Sequence, residues 1–307
     1  MAVQHRLSAR FDFTPLAVDV DQCLSIRGIV PDPVAETAEN HTMRKIGEGD
    51  KSEVFVLPDG RILKLFFDYH AALAPVEAEI SASLARAGVA APRVDEVTTI
   101  DGRPGLIFVN LSEGKTLGDA VRSHPWRLVS AARELADLHT LVHERKSKEL
   151  PSQRQRLEQE IRDSDAISHD SRQLALELLA TLPDGENVCH NDIHMLNVIQ
   201  SSAGLTIIDW VLATRGNPLA DVAGAVLQLR FGEQPNGFVA RAMVELGRIA
   251  FRRAYLQRYL ALHSAHAEDV RRWELPVAAA LSGRRAGRMR SQLVARVNRL
   301  VRLERSR

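Results

Sequence analysis

The 307-residue chain is 45% apolar and 26% charged, an ordinary balance for a globular protein with a real core. Its net charge of +1 gives no reason to expect nucleic acid or an anionic membrane as a general partner. No apolar run approaches the roughly eighteen residues of a membrane span, and two cysteines, Cys23 and Cys189, exclude a disulfide framework or a four-cysteine zinc site.

Residues 1–43 are irregular and dotted with Pro15, Pro31 and Pro33. They read as an extension with scope for a strand packed on the β-rich segment after residue 43. Met1 to Arg10 lacks the apolar core of a signal peptide, so a cytoplasmic location is expected. Ile46 to Leu57 then reads Gly-x-Gly-x-x-Ser-x-Val. A dinucleotide-binding loop would open a helix after its glycines. Here Val54, Phe55, Val56 and Leu57 are strand formers, and Asp59-Gly60 is a hairpin signal. The segment therefore reads as a β-hairpin lid over phosphates. Gly47, Gly49 and Ser52 are small enough to let backbone N–H groups approach the oxygens.

On the returning strand, alternation puts Ile62, Lys64 and Phe66 on one face and Leu63 and Leu65 on the other. A lysine among apolar neighbours is costly to bury unless it meets an anion, the alternative being an exposed edge-strand lysine. A helix is predicted between Pro75 and Gly88. On it Glu77 shares a face with Ile80 and Leu84, whereas Glu79 falls with Ser83 and Arg86. Glu77 is the better acid for Lys64, with Glu79 as second choice. Leu106 to Leu111 is an apolar strand, and from Leu117 the pattern is mostly helical. Residues 144–177 carry eight acids and seven bases and read as a solvated helix pair.

The densest chemistry lies in His190-Asn191-Asp192-Ile193-His194-Met195-Leu196-Asn197, with Asp209 twelve residues beyond at the end of an apolar strand. A loop and the 198–209 hairpin bring an Asp, an Asn and a second Asp together around Mg²⁺ and a phosphate. Phosphoryl transfer needs a base beside the attacking hydroxyl and oxygen ligands for Mg²⁺. Asp192 suits the first task, Asn197 and Asp209 the second. Downstream, in Gly216 to Ala223, Asp221 also reads as a helix N-cap. Between Pro276 and Arg307 nine arginines face one glutamate, Glu304, and an apolar stripe at Leu293, Val297, Leu300 and Val301 predicts a docked helix with its arginines outward.

These motifs, in this order, resemble the aminoglycoside phosphotransferase and choline kinase family. The resemblance implies an α+β, protein-kinase-like fold. Residues 44–111 would form a small β-rich lobe, and 112–307 a larger helical lobe ending in the arginine-rich helix. It implies that Lys64, steadied by Glu77, meets the α/β-phosphates of ATP or GTP beneath the lid of Gly47, Gly49, Ser52 and Val54. Val109 and Leu111 would offer hinge N–H and C=O groups to the base. Asp221 would accept hydrogen bonds from the catalytic-loop backbone, with His139 and His190 in structural roles. Asn191 departs from the family's usual Gly, Met195-Leu196 from Pro-Gly, and Trp210 from Phe-Gly; none removes a functional oxygen or charge. A small-molecule hydroxyl is the implied acceptor.

Two other readings compete. His190, Asp192, His194 and Asp209 could ligate a transition metal in a hydrolase, because His-x-Asp-x-His on an extended strand shares one face. That leaves the glycine loop, Lys64 and Glu77 without a use. The other is a nucleotide-binding scaffold without catalysis, against which every acidic position is present. Polycationic acceptors call for a cleft rich in carboxylates. Neither the charge-balanced insert nor the arginine-rich tail supplies such an excess, although Glu268, Asp269 and Glu274 could contribute locally.

Overall fold

The computed structural model describes residues 43–109, 111–231 and 237–306. The expected extension before Met43, including Cys23, lies outside them, as do Asn110 and Arg307.

Five strands form an antiparallel sheet in the order β1-β2-β3-β5-β4: β1 (Arg44–Glu48), β2 (Ser52–Val56), β3 (Ile62–Phe66), β4 (Arg93–Ile100) and β5 (Arg103–Val109). Gly60 turns the chain from β2 into β3 at φ +83°. Asp101 and Gly102, both at positive φ, make the two-residue turn from β4 to β5, where that twist matches the strands. The alternation expected on β3 is present. Ile62 and Phe66 pack with Leu106 and Phe108 on one face, while Leu63 and Leu65 pack with Ile107 on the other. Helix α1 (Leu73–Arg86) packs against the sheet and lies where Pro75 and Gly88 predicted it. Pro75 sits in its first turn, where a missing N–H costs nothing, and Gly88 leaves the helix at φ +70°.

The chain then runs through β6 (Lys115–Thr116) into α2 (Leu117–Ser123), α3 (Leu128–His143), α4 (Gln153–Asp163) and α5 (His169–Thr181). Thr116 and Asp119 start α2 with a reciprocal capping box, and Ser152 and Ser168 cap α4 and α5. Short strands β7 (Asn187–Cys189), β8 (Val198–Ser201), β9 (Gly204–Ile207) and β10 (Thr214–Gly216) interrupt the helices, with β7 pairing β10 and β8 joining β6 to β9. Then come α6 (Pro218–Arg230), α7 (Phe238–His263), α8 (Ala267–Arg272), α9 (Glu274–Arg284) and α10 (Gly287–Arg305). A β sheet with one helix, leading into a mainly helical part, is the α+β arrangement expected.

The large core centres on α9, whose residues Leu275 to Ser282 are all buried. A helix apolar on every side belongs inside, and α4, α5, α6 and α10 pack around it. On α10 the predicted stripe is buried at Leu293, Val297 and Val301. Two expectations need correction. The 144–177 insert is not simply solvated, because Leu157, Ile161 and Ala175 enter the core. The arginines of the C-terminal region do not all face outward. Arg296 forms a largely buried pair with Glu274, and Arg284 and Arg285 turn inward toward Glu160 and Asp192. No described helix is long and apolar enough to cross a membrane.

Candidate active site

Two small sheets clamp the loop His190–Asn197. β7 ends at Cys189, immediately before it, and β8 starts at Val198, immediately after. β9 ends two residues before Asp209, so the β8–β9 hairpin returns that carboxylate to the loop. Ile193, fully buried, anchors the loop's middle. Asn191 and Asp209 both hold left-handed backbone, at φ +62° and +60°. Asn and Asp tolerate that conformation better than other non-glycine residues.

Lys64, on β3, reaches out of the sheet to two carboxylates from other elements. Its Nζ donates to both Glu77 oxygens at 2.8 and 2.7 Å, and to Asp209 Oδ1 at 3.2 Å. Burial disfavours the ammonium, but Asp209 and Glu77 together outweigh it and hold Lys64 above its ordinary pKa. Burial likewise opposes ionisation of Asp209. Lys64 and Lys51 nonetheless bring it down to about 2. Glu79 does not take part in this contact; the face argument that favoured Glu77 matches the geometry.

His190 uses both ring nitrogens locally. Its Nδ1 accepts from Asp192 N at 3.2 Å, and its Nε2–H donates to the Ile208 carbonyl at 3.0 Å, beside the Trp210 ring. Asp221 Oδ2 and Oδ1 accept from the backbone N–H groups of His190 and Asn191 at 2.5 and 2.8 Å. Beneath them Asp221 Oδ2 also accepts from His139 and His143 Nε2, at 3.0 and 3.3 Å. The two Nδ1 atoms accept from Tyr255 and Tyr259 hydroxyls at 2.7 Å. Asn197 Nδ2 donates to the Asp192 carbonyl at 2.9 Å, which fixes the amide so that its oxygen faces away from that bond.

Asp192 is held from a direction that motif reasoning missed. Arg285 Nη2, just past the end of α9, donates to Asp192 Oδ1 at 2.5 Å and to Gln228 Oε1 at 2.7 Å. His194 Nε2 lies 3.9 Å from Asp192 Oδ2. Burial raises the Asp192 pKa, but Arg285, His194 and Arg284 more than reverse this and hold the carboxyl well below its usual range. Arg284 lies 3.4 Å from Glu160 of α4, which Arg156 also pairs at 2.9 Å. A pair of arginines one residue after a run of eight buried residues, at the end of a buried helix, was the available signal.

Of the predicted nucleotide-facing residues, Val54 stands directly opposite Lys64 across β2 and β3, and Leu106 flanks it on β5. Val109 ends β5, and Leu111 packs against the Ile62–Phe66 cluster. Gly47 and Gly49 have ordinary φ, and a side chain at Gly49 would meet nothing within 4 Å. Internal packing therefore does not require glycine there. Ser52 is buried at the start of β2, and its carbonyl accepts from Gly49 N at 2.9 Å. The four-residue transition-metal arrangement is not assembled, because both His190 nitrogens are spent on backbone groups. Among the described residues the one compact group of three metal-capable side chains is His139, His143 and Asp221, already bonded to one another and to tyrosines. Glu274 and Asp269, considered for a cationic substrate, are tied to Arg296 and to the His266 backbone.

No curated protein matches the chain. Among solved structures, a thermostable mutant of aminoglycoside phosphotransferase APH(4)-Ia in ternary complex with AMP-PNP and hygromycin B superposes with TM-score 0.57 at 16% identity, over 85% of this chain and 93% of that one. Aminoglycoside-3'-phosphotransferase of type VIII gives 0.53 at 20% identity, covering 78% and 93%. Aminoglycoside phosphotransferase APH(3'')-Id from Streptomyces rimosus ATCC10970 gives 0.50 at 21%, covering 78% and 92%. At such identities the likeness establishes the protein-kinase-like fold shared by these enzymes. The family model of the phosphotransferase enzyme family matches residues 42–273, and the chain belongs to that family.

Proposed function

We propose that this protein transfers the γ-phosphate of ATP, with Mg²⁺, to a hydroxyl of a small molecule. The observation that carries the reading is the buried contact of Lys64 with Glu77 and Asp209, which joins β3, α1 and the loop after β9 at one cation. Phosphoryl transfer depends mainly on positioning and charge stabilisation, and this is such a scaffold. Neighbouring structures that hold AMP-PNP with hygromycin B, or ADP with hygromycin B, support a nucleotide beside a small-molecule acceptor.

In this mechanism Lys64 pairs with the α/β-phosphates, and the Gly47–Ser52 turn covers them with backbone N–H groups. The Asn197 amide oxygen and the Asp209 carboxylate are hard oxygen donors, the set that suits Mg²⁺. Bound there, Mg²⁺ would neutralise charge on the triphosphate. Asp192 orients the acceptor hydroxyl and takes its proton at Oδ2, because Oδ1 is engaged by Arg285. His190 and Asp221 hold the loop's backbone, and Asn197 ties its own amide to Asp192.

A melting titration with Mg²⁺·ATP, run beside ATP with EDTA and beside Asp209→Asn, tests the reading. Ligand at a hundredfold excess over Kd stabilises by about 2.7 kcal/mol. The wild-type shift should require Mg²⁺ and shrink in Asp209→Asn, and a parallel GTP series ranks the two nucleotides. Asp192→Ala should keep the shift and lose turnover. Loss of nucleotide binding in Asp192→Ala would mean that the roles of the two aspartates are misassigned.

A further inference from the structure

The acceptor side of Asp192 is cationic. Three guanidinium groups, Arg156, Arg284 and Arg285, gather against two carboxylates, Glu160 and Asp192. Burial, with Arg156 and Arg285 close by, brings Arg284 down to about 10 in spite of Glu160. Asp221 lines the cavity beside these groups, but its oxygens are taken by two histidines and two backbone N–H groups.

Hydrogen-bond accounting points the same way. Five buried side-chain atoms lack a partner among the described residues. Three of them are Gln228 Nε2, Arg284 Nε and Arg285 Nε, all donors at this one place. Buried donors are normally paired, so the local shortage is of acceptors. Both hydrogen bonds of Arg285 leave through Nη2, which keeps the rest of its donor fork uncommitted. The neighbouring cavity lined by Gln153, Arg156, Glu160, Asn191 and Arg284 measures about 20 Å³, room for about one water. That cavity is too small for a substrate's anionic group, whereas Arg285 also borders Asp192.

Resting on the phosphotransferase reading, we infer that the acceptor is a hydroxy compound with an anionic group, a carboxylate or a phosphate ester, near the hydroxyl that is phosphorylated. Arg284 and Arg285 bind that group, and Asp192 Oδ2 takes the hydroxyl. The oxygen–phosphorus bond to the acceptor forms as the γ-phosphate's bond to ADP breaks, and the hydroxyl proton passes to Asp192. A polycation would meet the guanidinium groups of Arg285 and Arg284 beside Asp192.

The test is ADP release with acceptors matched in skeleton and different in charge: glycerate, glycerol 3-phosphate, glycerol and 3-amino-1,2-propanediol. A second set is gluconate, glucose 6-phosphate, glucose and glucosamine, with hygromycin B as polycation. The glycerate and glycerol 3-phosphate arms separate carboxylate from phosphate. An anionic member should exceed its neutral counterpart in kcat/KM by about tenfold or more, the worth of one charge-assisted hydrogen bond. Arg284→Gln should raise KM for that acceptor and leave kcat nearly unchanged. Arg285→Gln should also lower kcat, because Asp192 loses its orientation.

Preference for the amines or hygromycin B overturns the inference, and so does an anion preference that survives Arg284→Gln. If no acceptor is turned over, malonate decides by a melting shift on the Mg²⁺·ATP complex. A shift that Arg284→Gln abolishes supports the site, and no shift overturns it. Failure of Mg²⁺·ATP itself to shift melting is a separate result, and it removes the phosphotransferase reading beneath.

Discussion

Asn191 shows how one backbone angle shapes the His190–Asn197 loop. At φ +62° the position favours glycine. Asparagine fills it because its side chain secures what glycine would leave loose. Nδ2 donates to the Leu212 carbonyl at 3.0 Å and to Thr214 Oγ1 at 2.9 Å, and Oδ1 accepts from Gln153 Nε2 at 3.0 Å. The loop is thereby stitched to β10 and to the start of α4. Asn191→Ala should lose these bonds and add left-handed strain, about 2–4 kcal/mol together. Asn191→Gly should lose only the bonds and fall between the alanine variant and the wild type in urea. Equal midpoints for the two variants would show that backbone strain plays no part. The sequence marks Asn191 as a departure from the motif, but two of its partners, Thr214 and Gln153, lie 23 and 38 residues away and no local pattern announces them.

At the scale of elements, legibility depends on whether an element's partner is local. The lid hairpin, the alternation on β3 and the choice of Glu77 on α1 come from periods of two and of three to four, which the chain displays by itself. The charged helices do not. Arg156 and Glu160 are four apart on α4 and look like a solvent-facing pair, yet Arg284, 124 residues from Glu160, turns that pair inward. Charge counting cannot tell water from a distant arginine. The same limit hid the role of α9, which carries Ala278, Ala279 and Ala280 at zero exposure and presents Arg284 and Arg285 at its end. Small residues let neighbouring helices approach closely there. Ala279→Leu should therefore overpack the core and cost about 1–3 kcal/mol. The urea midpoint should drop at unchanged slope. Turnover should fall more than Mg²⁺·ATP binding does, because the displaced end of α9 carries the arginine that orients Asp192. An equal loss of both would disconnect α9 from the acceptor side.

For the whole molecule, the sheet-then-helix order and the spacing of Lys64, Asp192 and Asp209 were enough to reach the fold. The buried hub beneath the loop was only partly visible. Asp221 and His139 stood out by resemblance, while His143, Tyr255 and Tyr259 did not, because i,i+4 pairs on α3 and α7 look like ordinary core stripes. Here α3, α6 and the His190–Asn197 loop meet at the Asp221 carboxylate, and α7 backs the two histidines through Tyr255 and Tyr259. Burial, reinforced by His139, pushes His143 down to about 3 against the pull of Asp221. Burial also lowers His190 and His194. All three lie below their ordinary value in the folded protein and would titrate near 6.5 when unfolded. As pH falls below about 6.5 the unfolded state binds protons first, so stability declines. Asp192, Asp209 and Asp221 have folded pKa values below their unfolded ones. Their contribution is complete above about pH 4 and fades below it, so the decline steepens there. Each unmatched proton is worth up to about 1.4 kcal/mol per pH unit. The urea-derived stability should thus begin to fall near pH 6.5 rather than near 4. His143→Gln should take about one proton out of the slope between pH 6 and 4 and leave the steeper acid limb in place. A wild-type profile flat from pH 6.5 to 4.5 would mean that these histidines titrate alike in the folded and unfolded protein, and that burial does not set their charge.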